Sequence, residues 1–125
     1  MAIKINDLTG EIVDCCYKIH KTMGSGLYEK VYEDCLVYEL DKKSIRYKRQ
    51  HPVSVKYEEL VIRDAFKIDI LVEDMVILEL KSADKLLPIH QSQIITYLKL
   101  AKIQIGLLIN FNVPLIKDGI KRFKA

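Results

Sequence analysis
The stretch Lys67–Ser82, KIDILVEDMVILELKS, limits the rest of the chain most strongly. It reads as two apolar strands joined by a tight acidic turn at Glu73-Asp74. Within those strands stand Asp69, Glu79 and Lys81, residue types that are rarely buried unless paired or bound to a metal. Glu79 and Lys81 are two apart and so leave one strand on the same face. A three-residue loop, Glu73, Asp74 and Met75, pairs Val72 with Val76 and sets Asp69 opposite Glu79. Opposed side chains have Cβ atoms about 5 Å apart, close enough for two carboxylates to share one hard cation. A two-residue loop would slip the register and send them to opposite faces.

A chain of 125 residues, half of them hydrophobic, suits one domain spanning residues 1–125 around one core. Its apolar runs are too short to span a bilayer and no signal peptide is visible, so no membrane partner is expected. Cys15, Cys16 and Cys35 are odd in number and lack C-x-x-C spacing. That argues against zinc and a disulfide framework, expects core cysteines, and fits a cytoplasmic setting. The net charge of +3 permits a polyanion partner without requiring one. Lys42, Lys43, Arg46, Lys48 and Arg49 form one basic cluster, and Lys117, Lys121, Arg122 and Lys124 a second. A solvated surface explains such clusters as readily as a binding face.

Apolar spacing predicts a helix over residues 6–22, with Asn6 or Thr9 as cap, broken by Gly24-Ser25-Gly26. A second helix is expected from Leu27 to Lys43, with one stripe through Leu27, Val31, Cys35 and Tyr38, widened by Tyr32, Leu36 and Leu40. Glu29 lies in its first turn, where the helix dipole alone accounts for a carboxylate. Residues 46–56 read as a strand that Pro52 marks as an edge. The two central strands cover 61–72 and 76–82. Pro88 opens a third helix to Ala101, with Ile94, Ile95 and Leu98 toward the core and His90, Gln93 and Tyr97 along one stripe. Residues 104–111 read as a strand covered on both faces. Residues 113–123 read as a last strand or a hairpin around Asp118-Gly119. The order α-α-β-β-β-α-β(-β) implies an α/β (α+β) fold, a mixed sheet flanked by helices.

Phosphodiester hydrolysis needs neutralised phosphate charge, an activated water and a stabilised leaving oxygen. A divalent metal held by oxygen ligands supplies all three. Asp69 and Glu79 are the right type for such ligands, and the Leu80 carbonyl can add another. Lys81, aimed at the same pocket, suits orientation of the attacking water and stabilisation of phosphate charge. On spacing alone this is a weak pattern, and a half-exposed salt bridge would also produce it.

The triplet Asp69…Glu79-Leu80-Lys81 resembles the signature of the PD-(D/E)XK nuclease superfamily, whose αβββαβ core matches the order of elements with one extra helix in front. Gly26-Leu27-Tyr28-Glu29-Lys30-Val31-Tyr32 is similar to the name motif of the small bacterial GxxExxY proteins. That resemblance extends through Ile19-His20-Lys21, Leu87-Pro88-Ile89-His90 and Leu107–Pro114. Departures are Ser25 where Pro is common, Lys67 where Arg is common, and no Pro before Asp69. The resemblance implies that Asp69 and Glu79 are metal ligands, that Lys81 is the catalytic lysine, and that Glu29 reaches the metal through water. It also implies that Gln93 and Tyr97, spaced as in RecB-like nucleases, contact substrate beside the site. His90 is as well explained by a helix-terminus hydrogen bond, and His20 by the dipole at the end of the first helix.

The leading expectation is therefore a nuclease dependent on Mg2+ (or Mn2+) acting on DNA, with the Lys42–Arg49 cluster as a further nucleic-acid contact. By analogy with superfamily members of this size, it would be a homodimer. The alternative is a non-catalytic module that binds nucleic acid or protein on the same fold. A glycosidase-like carboxylate pair is remote, given Lys81 and the absence of Trp.

Overall fold
The computed structural model describes residues 3–125; Met1 and Ala2, included in the single-domain expectation, lie outside the described residues. The elements are α1 (Ile5–Met23), α2 (Glu29–Lys42), β1 (Tyr47–Tyr57), β2 (Leu60–Val72), β3 (Val76–Lys81), α3 (Pro88–Ala101), β4 (Ile105–Asn110), a 3-10 turn (Ile116–Gly119) and β5 (Ile120–Lys124). The five strands form one sheet in sequence order. β3 and β4 are parallel and the other neighbours antiparallel. A parallel pair needs a crossover, and α3 supplies it.

The sheet separates two cores. Leu8, Ile12 and Cys16 of α1 and Tyr32, Leu36 and Leu40 of α2 pack on Ile70, Val72, Leu78, Leu80 and Leu107. Ile94 and Leu98 of α3 pack on Ile68, Leu71, Ile77 and Leu108 of the other face. The absence of a side chain at Gly106 lets α3 lie close: a Cβ there would stand 2.9 Å from Ile94 Cδ1 and 3.3 Å from Leu98 Cδ2. All six residues of β4 are buried, as a strand covered on both faces requires.

Several local expectations are corrected. α1 begins at Ile5 without a side-chain cap. Asn6 instead accepts a hydrogen bond from Arg122 Nη2 (3.0 Å), and Thr9 donates to the Asn6 carbonyl within the helix. α2 begins at Glu29, not Leu27, because the Leu27 N–H is held by the Tyr32 hydroxyl and Tyr28 is extended. Its buried stripe runs through Tyr32, Leu36, Val37 and Leu40, while Tyr38 is 63% exposed. On α3, Ile94 and Leu98 are buried but Ile95 is not. The end of the chain is not a hairpin. A 3-10 turn closed by Asp118 N–H to the Leu115 carbonyl delivers β5 antiparallel to β4. Pro52 lies within edge strand β1, where its missing N–H costs nothing.

Candidate active site
The β2–β3 connection has the register that the chemistry required. Val72 pairs with Val76, Leu71 with Ile77 and Ile70 with Leu78. Glu73 and Asp74 turn the chain at φ 51° and 55°, closed by Met75 N–H to the Val72 carbonyl (2.9 Å). One step beyond Ile70–Leu78 the ladder stops, and side chains take over the backbone groups. The Asp69 N–H donates to Glu79 Oε2 (3.2 Å), and the Leu80 N–H donates to Asp69 Oδ2 (2.9 Å). The strands thus part at Asp69 and Glu79, with the two carboxyl groups facing each other in the gap.

β2 also changes face there. Ile68 packs under α3 while Ile70, two residues on, packs under α1 and α2. Regular pleating would put both on one side. Across from the break, β1 holds Gln50 at φ 46°, and the β1–β2 ladder omits the Gln50–Asp69 pair. The break exposes Asp69 to elements on both sides of the sheet.

Glu79 is 6% exposed. Burial first, and then the charge of Asp69, push its carboxyl up to about 9, while the nearby Lys81 ammonium offsets only part of this. Burial beside the Asp69 carboxylate thus disfavours the charged form of Glu79. The same two carboxylates, after burial itself, raise the Tyr97 hydroxyl, which places that side chain of α3 near them. Phe66 of β2 stacks on the Tyr97 ring at 4.0 Å and 5°. Gln93 lies one turn earlier and is exposed. His90 Nδ1 accepts the Leu87 N–H (3.1 Å), the helix-terminus role. His20 Nε2 meets the Val113 carbonyl (2.9 Å), tying α1 to the loop after β4.

An open cleft of about 460 Å³ adjoins Asp69, lined also by Glu29, Lys30, Glu33, Arg49, Gln50 and Leu80. A larger hollow of about 600 Å³, between Asp41 and Asp74, is crossed by the Arg46–Glu73 and Lys48–Asp74 ion pairs. Its carboxylates, Asp41, Glu73 and Asp74, lie away from the strand split, whereas Asp69 of the split lines the smaller cleft. Glu29 reaches that cleft from the first turn of α2. The motif around it has a structural logic. Tyr32 stacks on Phe111 at 4.3 Å, and its hydroxyl donates to the Gly24 carbonyl (2.7 Å). Ser82 Oγ, next to Lys81, donates to the Leu27 carbonyl (2.6 Å). The loop before α2 is thereby fastened to the end of β3, which carries the site.

Sequence reasoning missed Glu33, Gln50 and Phe66. Glu33 is buried on α2, accepts from Arg49 Nε (2.9 Å) and Gln50 Nε2 (2.8 Å), and lies 2.8 Å from Arg49 Nη2 in an ion pair. A signal was present: Glu33 is four residues after Glu29 on the same helical face, inside the apolar stripe.

The basic cluster is brought to the surface, but each member has an acidic neighbour. Lys42 lies 3.7 Å from Glu39, Arg46 3.2 Å from Glu73 and Lys48 3.1 Å from Asp74, while Lys43 pairs with Glu11 and Arg49 with Glu33 and Asp34. The first four are exposed or partly exposed lysine and arginine pairs worth about 0–1 kcal/mol, which phosphates can displace. Arg49 differs, because it meets two carboxylates at once, Glu33 and Asp34, and Glu33 is held from both ends by Arg49 and Gln50.

The oxygen-only donor set fits a hard divalent cation. Asp69 and Glu79 face each other at the strand split, and Asp69 and Leu80 line the adjoining cleft. Among the described residues no three His, Cys, Asp or Glu side chains converge to hold a metal, so main-chain and water oxygens would complete the shell.

A mixed sheet flanked by helices, with an Asp and a Glu-x-Lys at a strand split, is a nuclease-like architecture. The family profile that matches residues 6–123 is that of the PD-(D/E)XK nuclease superfamily, and the chain belongs to it. No curated protein and no solved structure matches the chain significantly. Among the described residues no helix is long and apolar enough to cross a membrane.

Proposed function
We propose that this domain is a metal-dependent nuclease that hydrolyses phosphodiester bonds in DNA, with Mg2+ or Mn2+ as its ion. The observation that carries the reading is the pair of carboxyl groups, Asp69 and Glu79, facing each other where β2 and β3 part. Asp69, Glu79 and the Leu80 carbonyl would hold the ion, with Glu29 reaching it through water. The bound ion would neutralise phosphate charge, acidify a water and stabilise the leaving oxygen.

The chain's own residues do the rest. Lys81, with Glu79 on β3, orients the attacking water and takes phosphate charge. Tyr97, braced by Phe66, and Gln93 contact the substrate strand from α3. Lys42, Lys43, Arg46 and Lys48 follow the backbone by exchanging their carboxylates for phosphates, so affinity falls as salt rises. We assign the protein to the cytoplasm on its three free cysteines. We further propose that it acts as a homodimer, which sedimentation equilibrium tests.

The test is incubation with single-stranded, double-stranded and branched DNA and with RNA, in Mg2+, Mn2+ or chelator, beside Lys81→Ala. Cutting that needs metal and is lost in Lys81→Ala is the expected result. Salt-sensitive binding without cutting of any form would instead establish a non-catalytic binding module.

A further inference from the structure
The Asp69 carboxylate is held on only one side by the main chain. Oδ2 accepts the Leu80 N–H at 2.9 Å. Toward Oδ1 points the side-chain amide of Gln50, at 3.5 Å, which at the same time donates to Glu33 Oε1 at 2.8 Å. A single NH2 group thus serves two carboxylates, and both can only accept. Glu33 is fixed in turn by a hydrogen bond and an ion pair from Arg49, and Arg49 by Asp34.

Gln50 is placed there at a cost. It lies at φ 46°, a region uncommon for residues other than glycine, at a point where the β1–β2 ladder is interrupted. A strand residue with no further task would be extended and β-branched. Strained backbone of this kind gathers where the geometry of a site depends on it. The residue type matters too. A lysine or arginine at this position would neutralise Asp69 and repel a cation. An amide orients the carboxylate and leaves its negative charge available.

We propose that Gln50, locked by the Glu33–Arg49 ion pair, is a positioning residue that presents the Asp69 carboxylate to a divalent cation. This rests on the metal-dependent reading above. It also withdraws Arg49 from the set of phosphate contacts, since its guanidinium is committed to the support of the site.

The test uses the full chain without nucleic acid. Mn2+ affinity is measured by electron paramagnetic resonance for the wild type and for Gln50→Met, which keeps the length and loses the donor. The side-chain amide signals of Gln50 are followed by NMR as Mg2+ is added to the wild type. Partners of metal ligands typically contribute ten- to hundredfold to affinity, so Gln50→Met should bind Mn2+ roughly ten- to hundredfold more weakly, and Mg2+ should move the Gln50 amide signals. Equal Mn2+ affinity in the two proteins overturns the role of Gln50 and leaves the metal reading intact. Absence of Mn2+ binding by the wild type overturns the metal reading and this role with it. Should Gln50→Met fail to fold, amide signals that Mg2+ leaves unmoved in the wild type overturn the proposal.

Discussion

The buried carboxyl of Glu79 makes the stability of the metal-free protein depend on pH in an unusual direction. In the unfolded chain the group titrates near 4.5, and in the folded protein it is pushed up to about 9. Between those values the folded state holds a proton that the unfolded state has released. The stabilisation is fully present below pH 4.5 and is lost as pH rises through about 9. Each pH unit in that window removes about 1.4 kcal/mol, so at pH 7.5 the group costs about 4 kcal/mol relative to pH 4.5.

Glu79→Gln keeps the shape and has no proton to lose. Its carbonyl oxygen can accept the Asp69 N–H, and its amide can donate to the Asp69 carboxylate. Urea unfolding of both proteins in chelator, from pH 5.5 to 8.5, should show the wild type losing stability steadily while Glu79→Gln does not share that slope. The variant should be the more stable protein at pH 8. Working above pH 5.5 avoids the acid range in which ion-paired carboxylates such as Asp34, held low chiefly by Arg49 and Lys30, begin to protonate. Parallel curves for the two proteins would show that Glu79 is already ionised in the folded state and would refute the burial argument.

Three further outcomes follow from the packing. Gly106→Ala drives a methyl group into Ile94 and Leu98 and should cost about 1–3 kcal/mol in denaturant unfolding; an unchanged midpoint would mean that α3 is not tightly seated on β4. Tyr32→Phe removes the bonds to the Gly24 carbonyl and the Leu27 N–H, should cost about 1–3 kcal/mol, and should speed amide exchange at Leu27, whereas unaltered exchange there would count against the hydroxyl as the loop's fastening. Asn110→Ala strips the partners of the Ala83 N–H, the Ala83 carbonyl and the Asn112 N–H; a loss of about 2–4 kcal/mol is expected by calorimetry, and a loss below 0.5 kcal/mol would mean that water replaces the clamp about as well.

The sequence by itself determined the order of the elements, and it tied the central register to the length of one loop. Local causes set these: helical spacing in α1 and α3, Pro88 at a helix start, the glycine break after Met23, and a loop length that makes Val72 meet Val76. Because side chains alternate along a strand, that register was enough to bring Asp69 to Glu79, and Glu79 and Lys81 to one face. The GxxExxY-like motif likewise pointed to Glu29 and Tyr32, although the lock between Tyr32, Gly24 and Leu27 is visible only in three dimensions.

Tertiary structure alone decided what surrounds those residues. Nothing in local spacing announces that β2 changes cores between Ile68 and Ile70, since that depends on where α2 and α3 lie across the sheet. The pairing of Arg49 with Glu33 joins residues 16 apart, and the bond from Gln50 toward Asp69 joins residues 19 apart. Their sequence positions carry no period that links them. For the same reason the basic cluster read as a uniform charged run, although its members meet different acids: Lys48 lies beside an exposed Asp74, Arg49 beside a nearly buried Glu33. Charge and polarity are properties of the residue, whereas desolvation and hydrogen-bond partners belong to the place where the fold puts it.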